Sequence, residues 1–292
     1  MRVHANDGVS AQAKESLVEE GFKVTTDHVP QDRLQAYLNK EKVDVLLVRS
    51  ATKVRQDLID ACPNLKLIGR GGVGMDNIDV AYARSKGLTV INTPASSSIS
   101  VAELVMAHLF GMMRNLHKAN RAMPNEGASR FKELKKECEK GSELRGKTLG
   151  VIGFGRIGQW TARYAIGVGM RVIYADHTAT AEAIDLDIGG TSIRVPVKLV
   201  EIDELLKNSD AITIHVPAQK DGQPVMGEAE LSKVKPGVVI VNTARGGCLD
   251  ETALIKALSD GRVRAAAIDV FVNEPTPSAE ILSSEDLSLS PH

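Results

Sequence analysis

Hydrophobic positions along the chain fall into short runs of Val, Leu and Ile, separated by stretches with helical spacing, and the runs form two groups. Arg2 to Ala5, Lys23 to Thr26, Val43 to Arg49, Leu65 to Arg70 and Leu88 to Asn92 read as strands of the first third. The alternation restarts with Thr148 to Gly153, Arg171 to Asp176, Ala211 to His215, Val238 to Thr243, Ala265 to Val270 and Leu287 to Ser290. Near-continuous apolar runs suit parallel strands covered by helices on both faces. The order therefore predicts an α/β chain with two doubly wound parallel sheets.

Between the groups, Ser100 to Leu116 carries Val101, Leu104, Val105, Leu109 and Met112 at helical spacing, and Ser100 with Glu103 has the form of a capping box. A long helix leading from one domain to the other is expected there. From Asn125 to Lys147 the chain turns polar, with Lys132, Lys135, Lys136 and Lys140 interleaved with Glu133, Glu137 and Glu139. That pattern predicts a solvated helix with i,i+4 ion pairs. No repeat of solenoid period and no low-complexity linker interrupts the chain.

The 292 residues exceed the usual size of one domain, and 43% hydrophobic content supports a large core. With 36 basic and 37 acidic residues the net charge is −1, so composition gives no reason to expect nucleic acid or an anionic membrane. Any anion site must be local. Cys62, Cys138 and Cys248 lie far apart without metal-ligand spacing, which suits a reducing cytoplasm and predicts no metal site. No apolar signal segment or bilayer-length stretch is present, so a soluble, cytoplasmic protein is expected.

The strongest chemical signal is Val151-Ile152-Gly153-Phe154-Gly155-Arg156-Ile157-Gly158, followed by a strand that closes on Asp176. Gly153 permits a tight turn out of a buried strand, Gly155 lets backbone approach a pyrophosphate, and Gly158 lets the next helix pack on the sheet. With Arg156 and Ile157 they open a helix whose N-terminal N–H groups face the anion. Asp176 can accept hydrogen bonds from both adenosine ribose hydroxyls. His177 rather than an arginine follows it, which favours NAD over NADP. The second domain is thus expected to be Rossmann-like.

Around this fingerprint lies an ordered series: Gly69 to Asp79 (GRGGVGMDNID), Asn92-Thr93-Pro94, Val101 to Leu104, His215-Val216-Pro217, Asn242 to Gly247 (NTARGG), Asp269 to Pro275 (DVFVNEP) and Ser290-Pro291-His292. The series resembles the D-isomer-specific 2-hydroxyacid dehydrogenases over essentially the whole chain. The resemblance implies two Rossmann-like doubly wound parallel-sheet domains, a flavodoxin-like substrate domain plus an NAD-binding domain. The first would span residues 1–97, completed by 283–292 and a following C-terminal helix, and the second 98–282, including the helix 100–116.

Family motifs place the catalytic groups at Arg245, Glu274 and His292. Oxidising a 2-hydroxy acid requires a proton to leave the hydroxyl as hydride leaves C2, and an imidazole suits that task near neutral pH. A neighbouring carboxylate favours imidazolium, so Glu274 would orient His292 and stabilise its protonated form. Arg245 would hold the substrate carboxylate and polarise the C2 oxygen, a bidentate role that lysine fills poorly. Glu274 before Pro275 also has a plainer reading as a turn residue. His215 ends a strand and competes for the acid/base role, but the resemblance assigns His215, Val216 and Pro217 to the cofactor wall. Thr243, Ala244 and Asp269 join that wall, Asp269 opposite the nicotinamide carboxamide unless it merely terminates its strand. His108, inside the long helix, reads as a structural residue.

In the first domain, Arg49, Lys53 and Arg70 at strand ends and loops resemble the phosphoglycerate dehydrogenases of the family and suit a phosphorylated acid. Lys53 alone reads equally well as an exposed lysine. Gly72, Val73 and Gly74 offer N–H groups for the substrate carboxylate. The resemblance implies NAD-dependent oxidation of D-3-phosphoglycerate. It also implies a homodimer paired over Ser100 to Lys147, with neither nucleic acid nor membrane as partner. A hydroxypyruvate or glyoxylate reductase of the same family is one alternative, and a non-catalytic NAD-sensing corepressor-like protein is another. Relatives continue past the position of His292 and some append a serine-binding domain, so a missing tail and no serine feedback through such a domain are expected. The tryptophan often found near Arg130 to Lys140 in the family is absent.

Overall fold

The computed structural model describes residues 1–292, which divide into two compact units, Met1–Ser97 and Ser98–His292. The first unit is built on β1 (Arg2–Ala5), β2 (Lys23–Thr25), β3 (Val45–Val48), β4 (Leu67–Arg70) and β5 (Thr89–Asn92). These strands are parallel in the order β2-β1-β3-β4-β5, the flavodoxin-like arrangement, with its switch point between β1 and β3. Leu46, Val48, Ile68 and Val90 form one face, buried with Leu34, Leu38, Leu58, Ile59 and Ala83 of the helices Gln31–Lys40, Gln56–Ala61 and Val80–Ser85. The opposite face, reached by the alternate residues Leu47, Gly69 and Ile91, is thinly covered. Helix Ala11–Glu19 buries none of its residues and Ile91 remains 49% exposed, so the cover is less even than the apolar runs predict.

The second unit contains β6 (Thr148–Ile152), β7 (Arg171–Ala175), β8 (Ala183–Ile188), β9 (Thr191–Pro196), β10 (Lys198–Leu199), β11 (Ala211–Ile214), β12 (Val238–Asn242), β13 (Val263–Ile268) and β14 (Leu287–Leu289). Seven of these form a parallel sheet in the order β10-β7-β6-β11-β12-β13-β14. Counted from β6 along the sheet, this is the Rossmann order with one further edge strand. Successive residues of a strand enter opposite cores. Ile212, Ile214, Val238 and Ile240 pack on one side, while Ala211, Val239 and Val241 pack on the other against Val105, Leu109 and Met112 of helix Ser98–Met113.

Four features differ from the pattern read in the sequence. The helix begins at Ser98, which places Ser100 inside its first turn, so Ser100 and Glu103 do not form the N-terminal capping box. The polar segment lies in a helix over Leu116–Cys138, broken at Arg130 (φ −122°, ψ 26°), and its ion pairs join Arg130 to Glu126 and Glu137 rather than engaging the lysines. Strands β8 and β9 form an unforeseen antiparallel hairpin. Finally, residues 283–292 do not complete the first unit. Leu287 is fully buried, and β14 adds to the second sheet through parallel pairing of Ala266, Ala267 and Ile268 with Leu287, Ser288 and Leu289. No helix is long and apolar enough to cross a membrane.

Candidate active site

The glycine fingerprint occupies the turn between β6 and helix Arg156–Gly167. Gly153 has φ +91°, and a Cβ there would lie 2.7 Å from Val216 Cγ1 and 2.9 Å from the His215 carbonyl oxygen. A Cβ on Gly158 would collide with the Gly153 carbonyl oxygen, so helix and turn touch backbone to backbone. Gly155, the N-cap, faces open space, with no atom within 4 Å of where its Cβ would stand. The turn therefore presents a cradle at the start of a helix, where Arg156 and Ile157 supply the first helical N–H groups.

Asp176 follows β7 and is tied into this turn. Its Oδ2 accepts from Phe154 N–H at 2.7 Å, and its Oδ1 accepts from Thr178 N–H, Ala179 N–H and the Thr178 hydroxyl at 2.7–3.0 Å. Burial alone would push this carboxyl up, but the hydrogen bonds from Ala179, Thr178 and Phe154 outweigh it and bring the pKa to about 2. Oδ1 is filled, and lone-pair capacity remains on Oδ2.

His215 follows β11 under the fingerprint. Burial drives its pKa down to about 3, so the ring is neutral. Its Nε2 lies 3.0 Å from Thr213 Oγ1 and 3.4 Å from Thr161 Oγ1, while Nδ1 is buried without a partner. The backbone of Val216 and Pro217 continues the wall and faces the Cys248 thiol at 3.6–3.7 Å.

After β12, the Asn242 side chain locks the next loop. Its amide oxygen accepts from Ala244 N–H at 3.1 Å and its NH2 donates to the Arg245 carbonyl at 3.0 Å. Arg245 Nη1 donates to the Ala244 carbonyl at 2.7 Å. Thr243 Oγ1 is buried with no partner in the chain. Asp269 directly follows the neighbouring strand β13, and its N–H donates to the Asn242 carbonyl at 3.1 Å. A Cβ on Gly246 would overlap the Phe271 carbonyl, so the Arg245 loop and the turn leading to Glu274 are in direct backbone contact.

Within that turn, Glu274 Oε1 accepts from Phe271 N–H at 2.9 Å, and Oε2 lies 3.0 Å from His292 Nδ1. Burial favours the protonated carboxyl, but the hydrogen bonds from His292 and Phe271 and the charges of His292 and Arg245 prevail and hold it below its ordinary range. His292 N–H donates to the Asp269 carbonyl at 3.0 Å. One stretch of sheet edge thus carries Asp269, Glu274 and His292, with the Arg245 loop packed on it. With Nδ1 directed at Glu274, the Nε2 atom of His292 is the one left for a reacting group.

In the first unit, Arg49 and Arg70 follow or end the adjacent strands β3 and β4 and line a cleft of about 650 Å³ with Asp7, Gly71, Asn92 and Thr93 at its polar edge. Leu47, Gly69 and Ile91 form its apolar floor. Asn77, whose role the sequence pattern does not reveal, joins the two arginine segments. It accepts from Arg70 Nε at 3.0 Å and donates to the carbonyls of Arg49 at 2.8 Å and Thr52 at 2.6 Å. Asp7 accepts from Arg49 N–H at 2.6 Å.

Two expectations change here. Lys53 is not part of the cleft, because its backbone is paired at both ends with the Gln31 side chain and its own side chain is exposed. Gly72 N–H already donates to Thr93 Oγ1 at 2.8 Å and to the Arg70 carbonyl, which leaves Val73 and Gly74 as the donors of that turn.

Comparison with known proteins decides the family. The sequence profile of the D-isomer specific 2-hydroxyacid dehydrogenase, NAD binding domain, matches residues 106–292. The chain belongs to the D-isomer-specific 2-hydroxyacid dehydrogenase family. It is 42% identical to a hydroxypyruvate reductase of Thermotoga maritima, over 100% of this chain and 90% of that protein. It is 40% identical to a D-3-phosphoglycerate dehydrogenase of Methanocaldococcus jannaschii, over 94% of this chain but only 51% of that longer protein. The crystal structure of a glyoxylate reductase from Paecilomyes thermophila superposes with a TM-score of 0.84 at 28% identity, covering 100% of this chain and 88% of the reductase. Membership makes this an NAD-dependent D-2-hydroxyacid dehydrogenase, and the open cradle at Gly155, with the orphaned Thr243 hydroxyl, fits a dinucleotide.

Proposed function

We propose that the protein interconverts D-3-phosphoglycerate and 3-phosphohydroxypyruvate with NAD. The observation that carries this reading is the placement of Arg49 and Arg70 at the carboxyl ends of adjacent strands, joined through Asn77, where two guanidinium groups suit an acid with a second anionic group. The relatives named D-3-phosphoglycerate dehydrogenase support it.

Gly153, Gly155, Arg156, Ile157 and Gly158 would hold the pyrophosphate, Asp176 the ribose, and His215 to Pro217, Thr243, Ala244 and Asp269 the nicotinamide end. Bound NAD supplies the hydride acceptor. Arg245 would clamp the substrate carboxylate and polarise the C2 oxygen. His292 Nε2 would take the hydroxyl proton as the C2–H bond breaks, and Glu274 would stabilise the resulting imidazolium. In the reverse direction the same nitrogen returns the proton to the oxygen of the 2-oxo acid.

One specific observation favours a second reading as a hydroxypyruvate reductase: the Thermotoga maritima relative matches along 90% of its own length. A panel of 2-oxo acids and D-2-hydroxy acids, with and without phosphate, followed by NADH absorbance, separates the two. Highest efficiency on 3-phosphohydroxypyruvate supports the first reading, and preference for hydroxypyruvate the second. Absence of turnover on every acid would instead support a non-catalytic NAD-binding protein.

We further propose a homodimer. Phe110, Leu116, Met123 and Phe131 expose large apolar side chains along the helices of residues 98–138, the kind of surface that a second copy would cover. Light scattering should give twice the chain mass, and a monomer at micromolar concentration would contradict this.

A further inference from the structure

His108 is the one imidazole of helix Ser98–Met113, buried among Val105, Met106, Leu109 and Met112, where an apolar residue would satisfy packing without a desolvation cost. Both ring nitrogens are engaged. Nδ1 lies 2.8 Å from Ser288 Oγ, and Nε2 lies 3.0 Å from Ser290 Oγ. The Ser290 hydroxyl in turn donates to Asp269 Oδ1 at 2.6 Å.

The direction of this chain of hydrogen bonds follows from its last member. An ionised carboxylate only accepts, so the Ser290 proton lies toward Asp269 and Ser290 Oγ must accept from His108 Nε2–H. A neutral ring then carries its lone pair on Nδ1 and accepts the Ser288 proton. Donation runs without a break from Ser288 through His108 and Ser290 to Asp269. Burial favours this neutral ring, while the charge of Asp269 opposes it.

The segment so gripped is also the one that bears His292. Ser290 N–H donates to the Ile268 carbonyl at 3.1 Å, and His292 N–H to the Asp269 carbonyl at 3.0 Å. Ser290 therefore binds the Ile268–Asp269 segment through both backbone and hydroxyl, and His108 fixes the rotamer of that hydroxyl. Asp269 Oδ2 makes no hydrogen bond within the chain and remains for a ligand at the carboxyl edge of the sheet.

We propose that His108 is a positioning residue of the dehydrogenase, orienting the Asp269 carboxylate toward the cofactor through Ser290 and steadying the backbone that carries His292. The proposal rests on assigning Asp269 to the cofactor wall. It replaces the structural role that the sequence suggests for His108.

Two measurements test it. In cofactor-free protein labelled with 15N-histidine, the His108 resonances at neutral pH should report a neutral ring with the proton on Nε2. A proton on Nδ1, or a charged ring, would overturn the directed chain. NADH titration by fluorescence is the second measurement. His108→Leu and Ser290→Ala should each weaken NADH binding about tenfold, and the double variant by no more than the worse single one, as expected of groups acting in series. His108→Gln, which keeps a donor and an acceptor, should recover binding to within about threefold of the wild type. Wild-type affinity in both single variants, or multiplying losses in the double variant, would refute the proposal. If His108→Leu does not fold, Ser290→Ala and His108→Gln carry the test. Failure of the wild type to bind NADH would sink the cofactor assignment instead.

Discussion

His292 Nδ1 stands 3.0 Å from Glu274 Oε2, with the other Glu274 oxygen held by Phe271 N–H. The carboxylate is thereby fixed at both ends before any substrate arrives, and the imidazole is oriented by it. His292→Gln should lower kcat by a hundredfold or more, roughly the contribution of one general acid/base, with NADH affinity little changed. Glu274→Gln keeps a hydrogen-bond acceptor but loses the charge, so its kcat should fall about tenfold. Unchanged turnover of His292→Gln would show that another group moves the proton.

Gly246 should tolerate no side chain. Alanine would drive a methyl group into the Phe271 carbonyl and separate the Arg245 loop from the Glu274 turn. We expect Gly246→Ala to lose about a hundredfold in kcat/KM, since misplacing reacting groups by about 1 Å has effects of this size. Stopped-flow hydride transfer at saturating substrate would locate the loss in the chemical step, and wild-type transfer would contradict the steric argument.

Asp176 combines cofactor selection with local structure. Asp176→Ala should reduce efficiency with NAD and narrow the gap to NADP, because it removes both the ribose acceptor and the repulsion of a 2′-phosphate. Its folded pKa, about 2, lies below the ordinary carboxylate value, so its stabilising contribution is complete above about pH 4 and is lost as pH falls toward 2. Cofactor kinetics of the variant check the first part. Equal wild-type efficiency with NAD and NADP would contradict it.

Acid should weaken the protein earlier through His215. The buried ring stays neutral down to about pH 3, whereas an unfolded histidine protonates near 6.5. The unfolded chain binds the extra proton between these values, so stability declines as pH falls from about 6.5 toward 3, by at most about 1.4 kcal/mol per unit from this group. Urea midpoints at pH 7 and pH 5 should fall further apart in the wild type than in His215→Gln. Equal shifts would mean that His215 does not drive the acid limb.

The central strands are legible in the sequence because they are continuous apolar runs buried on both sides, as Val238–Asn242 illustrates. The β8–β9 hairpin also has a signature in the sequence. Ile184, Leu186 and Ile188 alternate with Asp185 and Asp187, and Gly189-Gly190 supplies the two positive φ values of a primed turn. Its alternation differs from the continuous runs that dominate the rest of the chain. Motif order makes Arg245, Glu274 and His292 legible as candidates, and the fold places Glu274 beside His292. The roles of Asn77 and His108 are not legible, because their partners lie at distant positions such as Arg49 and Ser290, and one sequence does not reveal which residues the fold brings together.

The arginine pair should discriminate by charge. Removing one charge-assisted contact costs about 1.5–3 kcal/mol, so Arg49→Ala and Arg70→Ala should each lose roughly ten- to a hundredfold in kcat/KM on phosphorylated substrates. Asn77→Ala should impair both arginine segments together, with a smaller loss. Equal losses on glycerate and phosphoglycerate would assign the arginines to the carboxylate instead.

The most direct measurement is the ratio of kcat/KM for 3-phosphohydroxypyruvate to that for hydroxypyruvate, with NADH, in the wild-type protein and in Arg49→Ala. The proposed activity predicts a wild-type ratio of at least about ten, falling toward one when a charge-assisted contact to the phosphate is lost. A wild-type ratio below one, unmoved by the substitution, would contradict the phosphoglycerate assignment and favour the hydroxypyruvate reductase.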